Sequence, residues 1–135
     1  MNVIVTDTGF AADDWTGGFA TTPEAAANVS AIDLASDADP ESLRDALSDI
    51  AMIRIDFPSF ADGRGFTIAK RLRRMGFTGR LRARGHVLAD QYAMARRSGF
   101  DEVEITQDLA ARQPEPQWQA RADWRAHDYQ SRLRA

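Results

Sequence analysis

The chain has no cysteine and only two histidines, and these absences remove a good deal of chemistry. Without cysteine there is no disulfide, no thiolate nucleophile, no iron–sulfur cluster ligated by this chain and no cysteine-based zinc site. His86 and His127 stand apart, in no spacing that resembles a metal-binding motif, so no metal site is expected. No apolar run approaches the roughly 20 residues that span a bilayer, and no basic stretch followed by an apolar one opens the sequence. The expectation is a cytoplasmic protein with no membrane partner. Phosphate-loop, dinucleotide and flavin fingerprints are missing too, so no cofactor is implied.

What is present fits one folded unit. Its 135 residues are 44% hydrophobic and 27% charged, enough for a real core, and the chain reads as a single α/β domain, 1–135. The net charge is −3, but acidic residues dominate up to Asp49 and arginine dominates from Arg64 to Arg97. A locally basic middle attracts phosphate, sulfate or nucleic acid. No nucleic-acid motif accompanies the arginines, so nucleic acid is not the expected partner.

Val3–Thr6 reads as a first strand. Gly9, Asp13, Asp14, Gly17 and Gly18 then read as turns, giving an irregular segment over 1–28 that Trp15 and Phe19 pin to the body. A second strand is expected at Val29–Leu34, a third at Met52–Phe57, a fourth at Arg80–Arg84 and a fifth at Glu102–Ile105. Between them lie three helices: one from Glu41, with Leu43, Ala46, Leu47 and Ile50 at helical spacing; one carrying Phe66, Ala69, Leu72 and Met75; and Val87–Arg97. Pro40 suits a first helical turn and Asp39 its cap. Alternation of this kind predicts a parallel sheet of sequential β-α-β-α-β-α-β units with right-handed crossovers, resembling part of a (β/α) barrel wall, helices on one face. A C-terminal helix is expected over 117–131, with Trp118, Ala122, Arg125 and Tyr129 at four-residue steps and Trp124 on another side.

The strands do not read as a parallel sheet buried on both sides, which would be nearly continuously apolar. With side chains alternating across each strand, one face presents Ile32, Leu34, Ile53, Ile55, Phe57, Leu81, Ala83, Val103 and Ile105. The other presents Asp33, Arg54, Asp56, Arg82, Arg84, Glu102 and Glu104. Buried charges cost more than their attraction returns unless paired and hydrogen-bonded. This second face must therefore be wet, internally compensated or closed by another surface. Cross-strand pairing is one reading, and an anion or partner site is the other.

After the third strand comes Asp56-Phe57-Pro58-Ser59-Phe60-Ala61-Asp62-Gly63-Arg64-Gly65, at the carboxyl end of a strand, where open α/β sheets bind ligands. Gly63 and Gly65 permit close approach, and Arg64 beside a helix start suits a phosphate or sulfate. The same four residues, Asp62 to Gly65, also make an ordinary turn. Asp90 and Gln91 are polar where Val87, Leu88 and Tyr92 suggest packing; they serve as a cap or orient an arginine.

The blocks IDFPSFADGRGF (Ile55–Phe66), RLRRMGFTGRLRARGHVLADQ (Arg71–Gln91) and RRSGFDEVEI (Arg96–Ile105), with Asp128-Tyr129-Gln130 near the end, resemble the signature of a bacterial family, the domain of unknown function 934. Its members often carry the label of an oxidoreductase of sulfite reduction. The resemblance places the family core at 53–105 and implies a role in sulfate and sulfite assimilation, with sulfite reductase or another protein of that pathway as partner. Many relatives have cysteine where this chain has Ser98 and an acid where it has Arg80; a small acidic or amide residue stands at the place of His86. Loss of the cysteine argues against thiol chemistry. The combined expectation is an accessory protein binding an oxyanion, a cofactor or the reductase machinery. Candidate ligand residues are Arg54, Asp56, Asp62, Gly63, Arg64, Gly65, Arg82, Arg84, Asp90 and Gln91. Alternatives are a small enzyme using Asp56 or Asp62 as general base, and a module that homodimerises through the charged face.

Overall fold

Apolar and charged residues alternating along the central strands sort onto the two faces of a six-stranded sheet in the computed structural model, which describes residues 2–125. The elements are β1 (Val3–Thr6), β2 (Gly9–Ala12), α1 (Pro23–Val29), β3 (Ala31–Leu34), a 3₁₀ segment (Pro40–Asp49), β4 (Met52–Phe57) and α2 (Arg64–Arg74). β5 (Arg80–Gly85), a 3₁₀ turn (Ala89–Gln91), α3 (Tyr92–Ser98), β6 (Glu102–Ile105), α4 (Gln107–Arg112) and α5 (Glu115–Gln119) follow. The strand order is β2-β1-β6-β5-β4-β3.

From β3 to β6 the strands are sequential neighbours and mutually parallel, as the alternation predicts. The sheet as a whole is mixed, which corrects the purely parallel expectation. β1 pairs antiparallel with β6 and turns back into β2, leaving an open sheet with β2 and β3 as its edges. β2 is a Gly-Phe-Ala-Ala edge strand without β-branched residues, so its sequence carries little strand signal. The segment 1–28 is accordingly only partly irregular: it holds β1, β2 and most of α1.

Other boundaries move for local reasons. β3 begins at Ala31 because Val29 ends α1, whose cap, Ser30, adopts a left-handed backbone (φ 61°) that turns the chain into the strand. Pro40–Asp49 winds as a 3₁₀ helix, yet still buries Leu43 and Leu47. Leu88 is extended, so α3 starts only at Tyr92. The expected C-terminal helix is present as Glu115–Gln119 and then turns; its part from residue 126 on, with His127 and Asp128-Tyr129-Gln130, lies outside the described residues.

The apolar face forms the core, with Ile32, Leu34, Ile53, Ile55, Phe57, Leu81, Ala83, Val103 and Ile105 all buried. Against it pack Leu43, Leu47, Phe66, Ala69, Leu72, Ala95 and Phe100, each large side chain stabilising by about 1.5–3 kcal/mol when fully covered. Gly65 lets α2 approach β4: a Cβ there would meet the Phe57 ring at 2.5 Å. Trp118 docks edge-on to Tyr92, ring centroids 6.1 Å apart, and donates Nε1–H to the Gln113 carbonyl. No helix among the described residues is long and apolar enough to cross a membrane.

Candidate functional site

The strand register builds the charged face directly. Asp33, Arg54, Arg82 and Glu102 are Cα partners in one row across β3 to β6, and Asp56, Arg84 and Glu104 in the next. Arg54 donates Nε and Nη2 to Asp33 at 2.6 and 2.8 Å and reaches Glu104 with Nη1 at 3.1 Å. Arg82, wholly buried, donates Nε to Glu102 at 2.6 Å and Nη1 to Glu104 at 2.9 Å. Arg80 also bonds Glu102, at 2.8 Å, and Asn2 donates to Glu104 at 2.8 Å. Glu104 is therefore a hub. Burial pushes its carboxyl up, but hydrogen bonds from Asn2 and Arg82 and the charge of Arg54 outweigh burial and hold it below the usual range.

A strap closes this face. Leaving β2, residues 13–20 cross the sheet to β3, where Ala20 bridges to Ile32. Asp13 sets a carboxylate oxygen 3.1 Å from Arg82 Nη1, and Asp14 sets one 2.9 Å from Arg80 Nη2. The Arg54 guanidinium lies over the Phe19 ring, 3.7 Å from its centroid, a cation–π contact. Trp15 packs beside Phe19 at 6.1 Å and donates Nε1–H to the Gly18 carbonyl. The face is thus both paired across strands and covered by the chain's own N-terminal segment. One buried donor is left over: Arg82 Nη2 has no hydrogen-bond partner among the described residues, and Asp14 lies 3.6 Å away.

At the carboxyl ends of β3, β4 and β5 the covering leaves a cavity of about 310 Å³ lined by Thr21, Asp33, Leu34, Ala35, Arg54, Asp56 and Arg84. Asp33 and Arg54 are spent on each other. Arg84 is not: its side chain is 44% exposed and, among the described residues, the carboxylate that it pairs with is Glu104 at 3.8 Å. Among the described arginines of this face it is the most weakly paired. A planar guanidinium offers paired donors to an oxyanion, while Asp56 adds an acceptor and Thr21 a hydroxyl.

The other candidates fall elsewhere. Arg64 lines a separate cavity of about 390 Å³ with Ser36, Asp37, Ala38, Thr67, Ile68 and Arg71. Its guanidinium is held by Asp62 at 2.7 Å and by Ser36 at 2.9 Å, and Asp62 also accepts its backbone N–H. Those bonds from Arg64 hold the Asp62 carboxyl far below its usual range. Asp62–Gly65 is a self-satisfied turn opening α2, with Gly63 at the cap and Gly65 in helix–strand packing. Asp90 pairs with Arg121 on the surface at 2.9 Å. Gln91 caps the Leu88 N–H at 2.8 Å and donates to the Phe60 carbonyl, which staples the loop after β4 and orients no arginine. Ser98 is buried and donates to the Met94 carbonyl.

Of the ten candidates, the structure therefore brings Arg54, Asp56 and Arg84 together in one cavity and makes Arg82 a buried strut. Sequence reasoning missed Thr21 and the strap carboxylates, Asp13 and Asp14. The available signal was a pair of acids followed by Trp and Phe, attached to a sheet face that needed compensation. Among the described residues, no group of three or more His, Asp or Glu side chains is arranged to hold a metal ion. The model of a family described as a bacterial protein of unknown function matches residues 31–135, from β3 onward. No curated protein and no solved structure matches the chain.

Proposed function

The chain belongs to the DUF934 family of bacterial proteins of unknown function, and from that premise we propose that it is a cytosolic accessory protein of assimilatory sulfate and sulfite reduction that binds a small oxyanion at Arg84. The observation that carries the binding half is the weakly paired Arg84 at the carboxyl edge of parallel strands, in a cavity with Asp56 and Thr21. Asp56 repels a bare anion but accepts a hydrogen bond, so the ligand that fits pairs negative oxygens with a donor of its own, as hydrogensulfite and hydrogenphosphate do. The pathway half rests on the family's sulfite-reduction label, and the reductase machinery is the partner it points to.

Asp56 beside Arg84 also supports a second reading, a small enzyme with Asp56 as general base and Arg84 stabilising developing negative charge. Dimerisation through the charged face has less support, because the strap already occupies that face.

A deletion strain tests the pathway. Growth with sulfate as sole sulfur source should fall and return with cysteine; a plasmid carrying the wild-type gene should restore it, and one carrying Arg84→Ala should not. Equal growth of the deletion strain on sulfate and cysteine would reject the pathway assignment. Full rescue by Arg84→Ala would reject the site.

A further inference from the structure

The strap is fastened differently along its length. Its ends are tied by backbone, Ala12 to Val3 in the hairpin and Ala20 to Ala31 and Asp33 at 2.9 and 2.8 Å. Between them, among the described residues, the backbone of residues 13–19 makes no hydrogen bond to the sheet. Side chains alone hold it down: Asp13, Asp14 and Phe19 on Arg82, Arg80 and Arg54. Gly17 and Gly18 sit in the middle, Gly18 in a left-handed backbone (φ +74°) with open space around it, so the segment bends without displacing packed neighbours.

What the strap presents to the sheet is chemically an anion. Two carboxylates face two adjacent guanidiniums, and the geometry is incomplete, since Arg82 Nη2 is buried and makes no hydrogen bond among the described residues, Asp14 lying 3.6 Å away. A tetrahedral or pyramidal oxyanion carries its oxygens on one small centre, whereas the two carboxylates are constrained by the chain that links them. Asp14 is 69% exposed and so is poorly protected from competition by solution anions.

We propose that the strap is an internal anion mimic: Asp13 and Asp14 occupy an oxyanion position on Arg80 and Arg82, and the strap lifts to admit a sulfate-, sulfite- or phosphate-like ligand there. The proposal shares its ligand class with the Arg84 reading and deepens it, using other residues. With the strap down the position is filled and apparent affinity is lowered by the fraction of molecules that are open. The strap thus sets the anion concentration at which the face responds.

The test is calorimetric titration with sulfate and with phosphate at constant ionic strength, balanced with chloride, on the full chain. The proteins are wild type, the double variant Asp13→Asn/Asp14→Asn, Phe19→Ala, which loosens the strap without altering its charge, and Arg84→Ala. Circular dichroism checks each fold, and if the double variant does not fold, Phe19→Ala decides. Sulfate should bind the double variant about tenfold more tightly than wild type, and Phe19→Ala should also gain. Saturating sulfate should change wild-type tryptophan emission through Trp15, a change lost in Trp15→Phe. Equal affinity in wild type and both strap variants would overturn the strap, and if shared phosphate binding disappears in Arg84→Ala the Arg84 site stands alone. Tight binding to the double variant that survives an added Arg84→Ala supports the strap, and wild-type binding undiminished in Arg84→Ala rejects the Arg84 site. No binding to any of the proteins rejects both.

Discussion

Arg82→Ala should lose about 3–5 kcal/mol of folding free energy in urea unfolding, the cost of breaking a buried ion pair by removing one partner. The side chain is wholly buried and satisfies Glu102 and Glu104, both nearly as buried, at 2.6 and 2.9 Å. Alanine would leave those two carboxylates with one guanidinium fewer, and would unfasten Asp13 as well. Against a typical total of about 5–15 kcal/mol, that is enough to leave the variant marginal. Arg82→Lys should recover only part of the loss, because an ammonium cannot serve Glu102, Glu104 and Asp13 in the directions a guanidinium fork does. A loss below about 1 kcal/mol, the range of an exposed pair, would contradict the reading of Arg82 as a strut.

The second large effect is at Glu104 and depends on pH. Its carboxyl is held low in the folded state by Asn2, Arg82 and Arg54 despite burial, and returns to about 4.5 on unfolding. Between those two values the unfolded chain binds more protons than the folded one, so stability falls as pH falls. The stabilisation is fully present above the unfolded value and is lost as pH drops through the folded one. Glu104→Gln should cost about 2–3 kcal/mol at pH 7, the worth of charge-assisted hydrogen bonds in a buried position, and should flatten the decline of stability below about pH 4.5. Asp7 and Asp14 are also held low, Asp7 by Tyr92 and Arg96 against its burial and Asp14 chiefly by Arg80, so some acid sensitivity persists. Urea unfolding of both proteins from pH 3 to 7 checks this, and parallel curves would show that Glu104 is not the titrating hub.

Much of this arrangement was legible in the sequence because a strand's period of two is unforgiving. Ile53-Arg54-Ile55-Asp56-Phe57 and Leu81-Arg82-Ala83-Arg84 assign every side chain to a face once the strands are placed, and the observed register matches. The N-terminal part was less legible. Gly9-Phe10-Ala11-Ala12 looks like a broken segment until β1 offers it a partner, and Asp13 and Asp14 look like turn residues until Arg80 and Arg82 lie beneath them. The site was spread too widely for the same reason. Arg64 and Asp62 are close in sequence to Asp56, but they satisfy each other and Ser36 at the start of α2, and nothing in their spacing reveals that. Arg82 and Arg84 look equivalent in sequence; with the strap down, only the reach of Glu102, Glu104 and the strap distinguishes a strut from a cation that is available.

Calorimetric titration of sulfite into wild type, Arg84→Ala and Arg64→Ala, with urea unfolding of the same samples, separates the available cation from the strut. An available Arg84 should give saturable binding to wild type and Arg64→Ala, at least about tenfold weaker binding to Arg84→Ala, and an unfolding free energy for Arg84→Ala within about 0.5 kcal/mol of wild type, as for an ordinary surface change. Undiminished binding to Arg84→Ala, or a stability loss there comparable to that of Arg82→Ala, would contradict it.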